Sequence, residues 1–166
     1  MSVVAAKVYD DKIVLAADSI LCYGDTKLTK NFSKLVKIND IIIGAVGSAQ
    51  EASVMWHFVR THEPRSPELK DILDYVVEFS KWKDDIGLER KIDNEYLMAF
   101  RGHLYSIDGL FVNEIKDFSA IGAGMDYALA ALYLDHTPKQ AVKVACKLSC
   151  WVAEPIEQYE MARSYD

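Results

Sequence analysis

Short apolar runs separated by paired polar residues dominate the first third of the chain. Residues 2–9 and 12–18 are apolar or alternating on either side of Asp10-Asp11, which predicts two strands joined by a tight turn. Residues 34–38 and 41–46 repeat the pattern around Asn39-Asp40. The period then changes from two to about 3.6. Ser48 followed by Glu51 fits a capping box, and Ala52, Met55, Trp56 and Val59 recur at helical spacing. Ser66-Pro67 opens a second predicted helix with proline in its first turn and Leu69, Ile72, Leu73 and Val76 on one face.

Strand-like pieces return at 95–100, 103–107 and 117–121, with Arg101-Gly102 and Asp108-Gly109 as turns. Beyond Gly122-Ala123-Gly124, the stretch from Tyr127 to Leu134 is apolar all round and predicts a buried helix. Thr137-Pro138-Lys139-Gln140 combines a Thr/Gln capping box with a first-turn proline. It predicts a last helix reaching about residue 153, and the tail is compatible with a closing strand. Strands, two helices, strands, two helices is the order of antiparallel sheets with helices on their outer faces, not of a βαβ winding.

Composition narrows the classes of function. A chain of 166 residues fits one domain over 1–166 with a real core. The net charge of −6 and the lack of a dense Lys/Arg cluster argue against nucleic acid as a partner. No apolar run has the length of a membrane span, and the start lacks the build of a signal peptide. Cys22, Cys146 and Cys150 form no CxxC pair, and the four histidines show no ligand spacing. No metal or cofactor is expected, and a reducing cytoplasm is the expected compartment. Cys146 and Cys150 read as small buried residues on the last helix. Lys81 to Arg90 reads as a solvated helix end and loop.

The candidate chemistry begins at the second residue. Removal of Met1 would place Ser2 at the start of a strand with a hydroxyl nucleophile and a candidate base, its own α-amine, on one residue. A free α-amine has a pKa of about 7.7–8.0, close to the working range of a general base. A serine hydroxyl needs such a base. A nearby ammonium, Lys34, would favour the alkoxide and keep the amine unprotonated, and Asp18 would hold Lys34 charged. Gly47 precedes the Ser48-capped helix, where unpaired N–H groups and the helix dipole suit a developing oxyanion.

Ser2, Ala16-Ala17-Asp18-Ser19, Lys34, Gly47-Ser48-Ala49-Gln50-Glu51 and Ala120-Ile121-Gly122-Ala123-Gly124 with Tyr127-Ala128 lie at a joint spacing that covers essentially the whole chain. On these residues the sequence resembles the proteasome β-subunit family of N-terminal nucleophile hydrolases, most closely its bacterial HslV-type branch. The resemblance implies an α+β fold, a four-layer αββα sandwich of two antiparallel sheets flanked by helix pairs. It also implies a self-compartmentalising, threonine-type peptidase with serine as nucleophile. Ser2, Asp18, Lys34 and Gly47 match the family's catalytic positions. Leu21, Phe32, Val36, Ala45 and Ala49 match its apolar pocket for the side chain before the cut bond. Partners implied are identical subunits in stacked rings (a dodecamer or tetradecamer), peptide or unfolded protein as substrate, and an ATP-driven unfoldase.

Two positions depart from the family pattern. Ala123 replaces a serine between the two glycines, and an ungapped alignment from Thr137 puts Trp151 where the family has an aspartate on its last long helix. These losses keep a second reading open, a ring-forming subunit with weak or no catalysis. A third is an amidase of the same wider class acting on small molecules.

Overall fold

A computed structural model describes residues 2–163. The elements in order are β1 (Val4–Val8), β2 (Lys12–Asp18), β3 (Leu21–Tyr23), β4 (Thr26–Thr29), β5 (Leu35–Ile38), β6 (Ile41–Val46), α1 (Ala49–Val59) and α2 (Leu69–Asp85). They continue with β7 (Glu95–Phe100), β8 (His103–Asp108), β9 (Phe111–Ile115), β10 (Phe118–Ile121), α3 (Met125–Tyr133), α4 (Pro138–Leu148) and β11 (Ile156–Ala162). One sheet runs β10-β1-β2-β11 and a larger one β5-β6-β7-β8-β9; β3 and β4 form a separate hairpin. Every pairing is antiparallel.

The strand period of two builds the layers. Along the first strand and its approach, Val3 and Ala5 face a core shared with Ala128, Leu132 and Ala145 of α3 and α4. Val4 and Ala6 face the opposite way, against Leu35, Ile42 and Leu97 of the second sheet. On that sheet Ile41, Ile43, Tyr96 and Met98 turn outward to meet Met55, Phe58, Ile72 and Phe79 of α1 and α2. Three apolar cores therefore alternate with four layers, αββα, the sandwich that the family resemblance implies, with the helices on the outer faces of antiparallel sheets as the element order predicts.

Several local expectations need correction. The hairpin β3–β4 and strand β9 are not among the expected strands: β3 and β4 are only three and four residues long, and Phe111-Val112-Asn113-Glu114-Ile115 does not alternate, so periodicity does not mark them. Pro67 precedes α2 instead of opening it: Ser66 Oγ accepts the Glu68 N–H and donates to Asp71. Ile72, Tyr75, Val76 and Phe79 form the buried face, leaving Leu69 and Leu73 exposed. Helix α3 is buried on one face only, because it belongs to an outermost layer; Tyr133 is 80% and Leu134 70% exposed.

Helix α4 stops at Leu148, because Ser149 leaves the helical region with ψ 131°. Cys150 is thereby outside the helix and exposed, and Cys146 is half-buried. Lys83, expected in solvent, is buried. No described helix is long and apolar enough to cross a membrane.

Candidate functional site

The end of β2 meets the start of β1. Asp18 is fully buried, and its carboxylate gathers three separate stretches of chain. Oδ1 accepts the Val3 N–H at 2.9 Å, and Oδ2 accepts the Ile20 and Ala153 N–H groups at 3.3 and 3.4 Å. Lys34, just ahead of β5, donates from Nζ to both oxygens at 2.8 Å. Charge-assisted bonds of this length are strong ones. Burial lowers the Lys34 pKa from its ordinary value, and the attraction and hydrogen bonds of Asp18 oppose that shift.

Ser2 is buried beside this pair. Its carbonyl accepts the Gly124 N–H at 3.2 Å, where α3 begins. Gly122 has φ +95°, and a Cβ there would stand 2.9 Å from the Ser2 carbonyl carbon. Only glycine lets the two backbones approach this closely. Ser2 and Lys34 open on a small cavity of about 40 Å³, also walled by Ile20, Leu21, Cys22 and Phe32. Ala45, Gly47, Ala49, Ala52 and Asn94 line it as well. Gly47 has φ +122°, and among the described residues its N–H has no acceptor.

A buried serine, a buried lysine–aspartate pair and a small cavity thus share one corner of the sandwich. The ATP-dependent protease subunit HslV of Campylobacter fetus is 32% identical over 148 residues, covering 82% of this chain and 80% of its own. This chain belongs to the HslV family of protease subunits. The Campylobacter lari HslV is 28% identical over 164 residues, covering 90% of this chain and 89% of its own. The solved structure of Thiobacillus denitrificans BPH in complex with epoxomicin has the same fold, with a TM-score of 0.88 and 20% identity over 98% of this chain and 100% of its own. No protein-family model matches the chain.

Set against the HslV-type expectations, Ser2, Lys34 and Gly47 line one cavity, and Asp18 lies behind Lys34. Leu21, Phe32, Ala45 and Ala49 line it as well, whereas Val36 does not. Val36 packs instead on the core beneath α1 and α2, because alternation along β5 points it to the opposite side of the sheet from Leu35. Trp151 is not on the last long helix: it lies past the end of α4, in the turn that sends the Ala153 N–H to Asp18. From that turn a backbone donor, the Ala153 N–H, reaches Asp18, and Trp151 contributes no carboxylate. Ala123 sits between the two glycines without a hydroxyl.

Sequence reasoning misses two residues. Asn94 precedes β7 in a polar stretch with no motif, so nothing in the sequence marks it. Glu51 is read only as half of a capping box. Ser48 Oγ accepts the Glu51 N–H, but the Glu51 carboxylate turns inward, accepting Lys83 Nζ at 2.7 Å, Tyr96 Oη at 2.9 Å and the Asn94 N–H at 3.1 Å. Burial, with the neighbouring Glu51 charge, pushes the Tyr96 hydroxyl pKa up.

Proposed function

We propose that this HslV-family chain is a peptidase whose nucleophile is the hydroxyl of Ser2, made N-terminal by removal of Met1. The observation that carries the reading is the packing of Ser2 beside the buried Lys34–Asp18 pair at a cavity edged by the unpartnered Gly47 N–H. In the proposed reaction the Ser2 α-amine, directly or through one water, takes the hydroxyl proton as Oγ attacks the scissile carbonyl. The oxygen of the tetrahedral intermediate gains negative charge and is held by the Gly47 N–H. Collapse breaks the C–N bond, the proton passes from the α-amine to the leaving amine, and an ester remains on Ser2. Water, activated by the same amine, then hydrolyses the ester and returns the hydroxyl.

Lys34 supplies positive charge beside Oγ, and Asp18 keeps that charge in place while anchoring Val3, the residue after the nucleophile. Leu21, Phe32, Ala45 and Ala49 form the pocket for the side chain before the cut bond and favour an apolar one. The relatives are named as subunits and as ATP-dependent. On that basis the assembly is a set of stacked rings of identical chains, fed with unfolded protein by an ATP-driven partner. Exposed apolar residues such as Tyr133 and Leu134 are available for subunit contacts.

One observation favours a second reading, a ring subunit without catalysis: Ala123 lacks the hydroxyl of the family pattern. Intact mass before and after an epoxyketone, the class that needs a terminal amine beside the hydroxyl, separates the two. The Thiobacillus denitrificans neighbour is held with epoxomicin. The peptidase reading expects a chain lacking Met1 that gains one inhibitor, and no gain with Ser2→Ala. Retained Met1, or labelling that survives Ser2→Ala, overturns the role of Ser2.

A further inference from the structure

The cavity lined by Ser2 also contains a buried amide, Asn94, that the proposed reaction does not use. Asn94 holds one residue's backbone at both ends: Oδ1 accepts the Ser48 N–H at 2.6 Å and Nδ2 donates to the Ser48 carbonyl at 2.8 Å. This bidentate contact fixes which end of the amide faces which group. The side chain also fills the space a residue at 47 would need, since a Cβ on Gly47 would stand 2.9 Å from Asn94 Cγ. Glycine has no side chain to restrict its own backbone, so the direction of the Gly47 N–H depends on what grips the peptides after it. Asn94 grips both.

Asn94 is itself anchored. Its N–H donates to Glu51 Oε1, while Glu51 Oε2 accepts Lys83 Nζ and the Asp93 N–H at 3.2 Å. Lys83 and Glu51 are both buried, and Lys83 also donates to the Lys91 carbonyl at 2.5 Å. The linkage runs from α2 through α1 to the loop ahead of β7, and from there to the edge of the cavity.

We propose that Asn94 is a positioning residue for acyl transfer, clamping the Gly47–Ser48 backbone so that the Gly47 N–H faces the oxyanion, with Glu51 holding Asn94 in place. This rests on the Ser2 and Gly47 roles above. The test measures kcat and KM of the assembled protein on one peptide substrate, alongside thermal melting. Asn94→Ala is expected to lower kcat by about 10²- to 10³-fold, the effect of losing one oxyanion donor. KM should stay unchanged, because the interaction exists only in the transition state.

Asn94→Asp keeps an acceptor for the Ser48 N–H but puts a titratable carboxyl beside the oxyanion. Its kcat relative to wild type should fall as pH rises through that carboxyl's pKa, a signature that a merely structural role would not produce. It carries the same test if Asn94→Ala fails to fold. Glu51→Gln should lower kcat in the wild-type background and have no further effect on kcat beside Asn94→Ala. An active wild type with kcat unaltered in Asn94→Ala, or altered only in KM and melting, overturns this proposal alone. A wild type with no Ser2-dependent hydrolysis overturns the nucleophile reading, and this one with it.

Discussion

Lys34 Nζ lies 2.8 Å from each carboxylate oxygen of Asp18, with both side chains buried. Burial lowers the Lys34 pKa, and the Asp18 carboxylate offsets part of that shift. If Lys34 must be charged for turnover, kcat/KM should fall on the alkaline side below the ordinary lysine value of 10.5. On the acid side it should rise as the Ser2 amine, near about 7.7–8.0 in its unperturbed state, loses its proton. For stability, a lysine whose folded pKa is depressed leaves the unfolded chain binding more protons between the two values. Its contribution therefore rises with pH through that window. A pH–rate profile checks the first statement, and activity that is flat to beyond the ordinary lysine value would sink it.

Gly122 and Ser2 give a steric test of the nucleophile's placement. Gly122→Ala puts a methyl group against the Ser2 carbonyl at a backbone φ of +95° that alanine tolerates poorly. Displacing the reacting group by about 1 Å can cost on the order of 10²-fold in rate. The variant should fold with reduced stability and turn over peptide at least tenfold more slowly, a rough bound from the same sensitivity to position. Full activity in a folded Gly122→Ala chain would show that Ser2 placement does not depend on this contact.

The Glu51–Lys83 pair predicts an asymmetric stability pattern. Glu51→Ala leaves a buried ammonium without its carboxylate and should cost about 3–5 kcal/mol. Replacing both, as Glu51→Gln with Lys83→Met, should recover much of that loss, because no lone charge stays buried. Denaturant unfolding of the two variants measures the difference. A single-variant loss of under about 1 kcal/mol, the range of a surface pair, would contradict the buried arrangement.

Ala49 offers a handle on substrate choice. It lines the cavity at the start of α1, and the space there is only about 40 Å³. Ala49→Leu should raise KM for peptides with a large apolar residue before the cut bond and spare those with a small one. Paired substrates of the two kinds provide the measurement. An equal effect on both would remove Ala49 from the pocket.

Much of the architecture is legible in the chain because it depends on short-range pattern. The unbroken apolar runs at 3–6 and 41–46 mark strands covered on both faces, and the strand period of two assigns their side chains to opposite sides. Ser48 and Thr137 mark helix starts by local capping: Thr137 closes the full box with Gln140, whereas at Ser48 only the hydroxyl half forms, because the Glu51 carboxylate turns inward to Lys83 and Tyr96. The spacing of Ser2, Asp18 and Lys34 is likewise visible, since each stands beside a predicted strand.

What the sequence could not determine involves partners distant along the chain. Val36 leaves the pocket because the pleat, not its apolar character, decides which way it points. Helix α4 ends early at Ser149, so that the following turn can bring the Ala153 N–H to Asp18, 135 positions away. Lys83 looks like one charge among many in a solvated stretch, yet it is buried against Glu51, 32 positions away. Asn94 has no pattern at all until β7 carries it next to Ser48. Local propensity and periodicity act within a turn or two of chain, whereas a buried polar group is satisfied by whichever donor or acceptor the packed layers bring within about 3 Å.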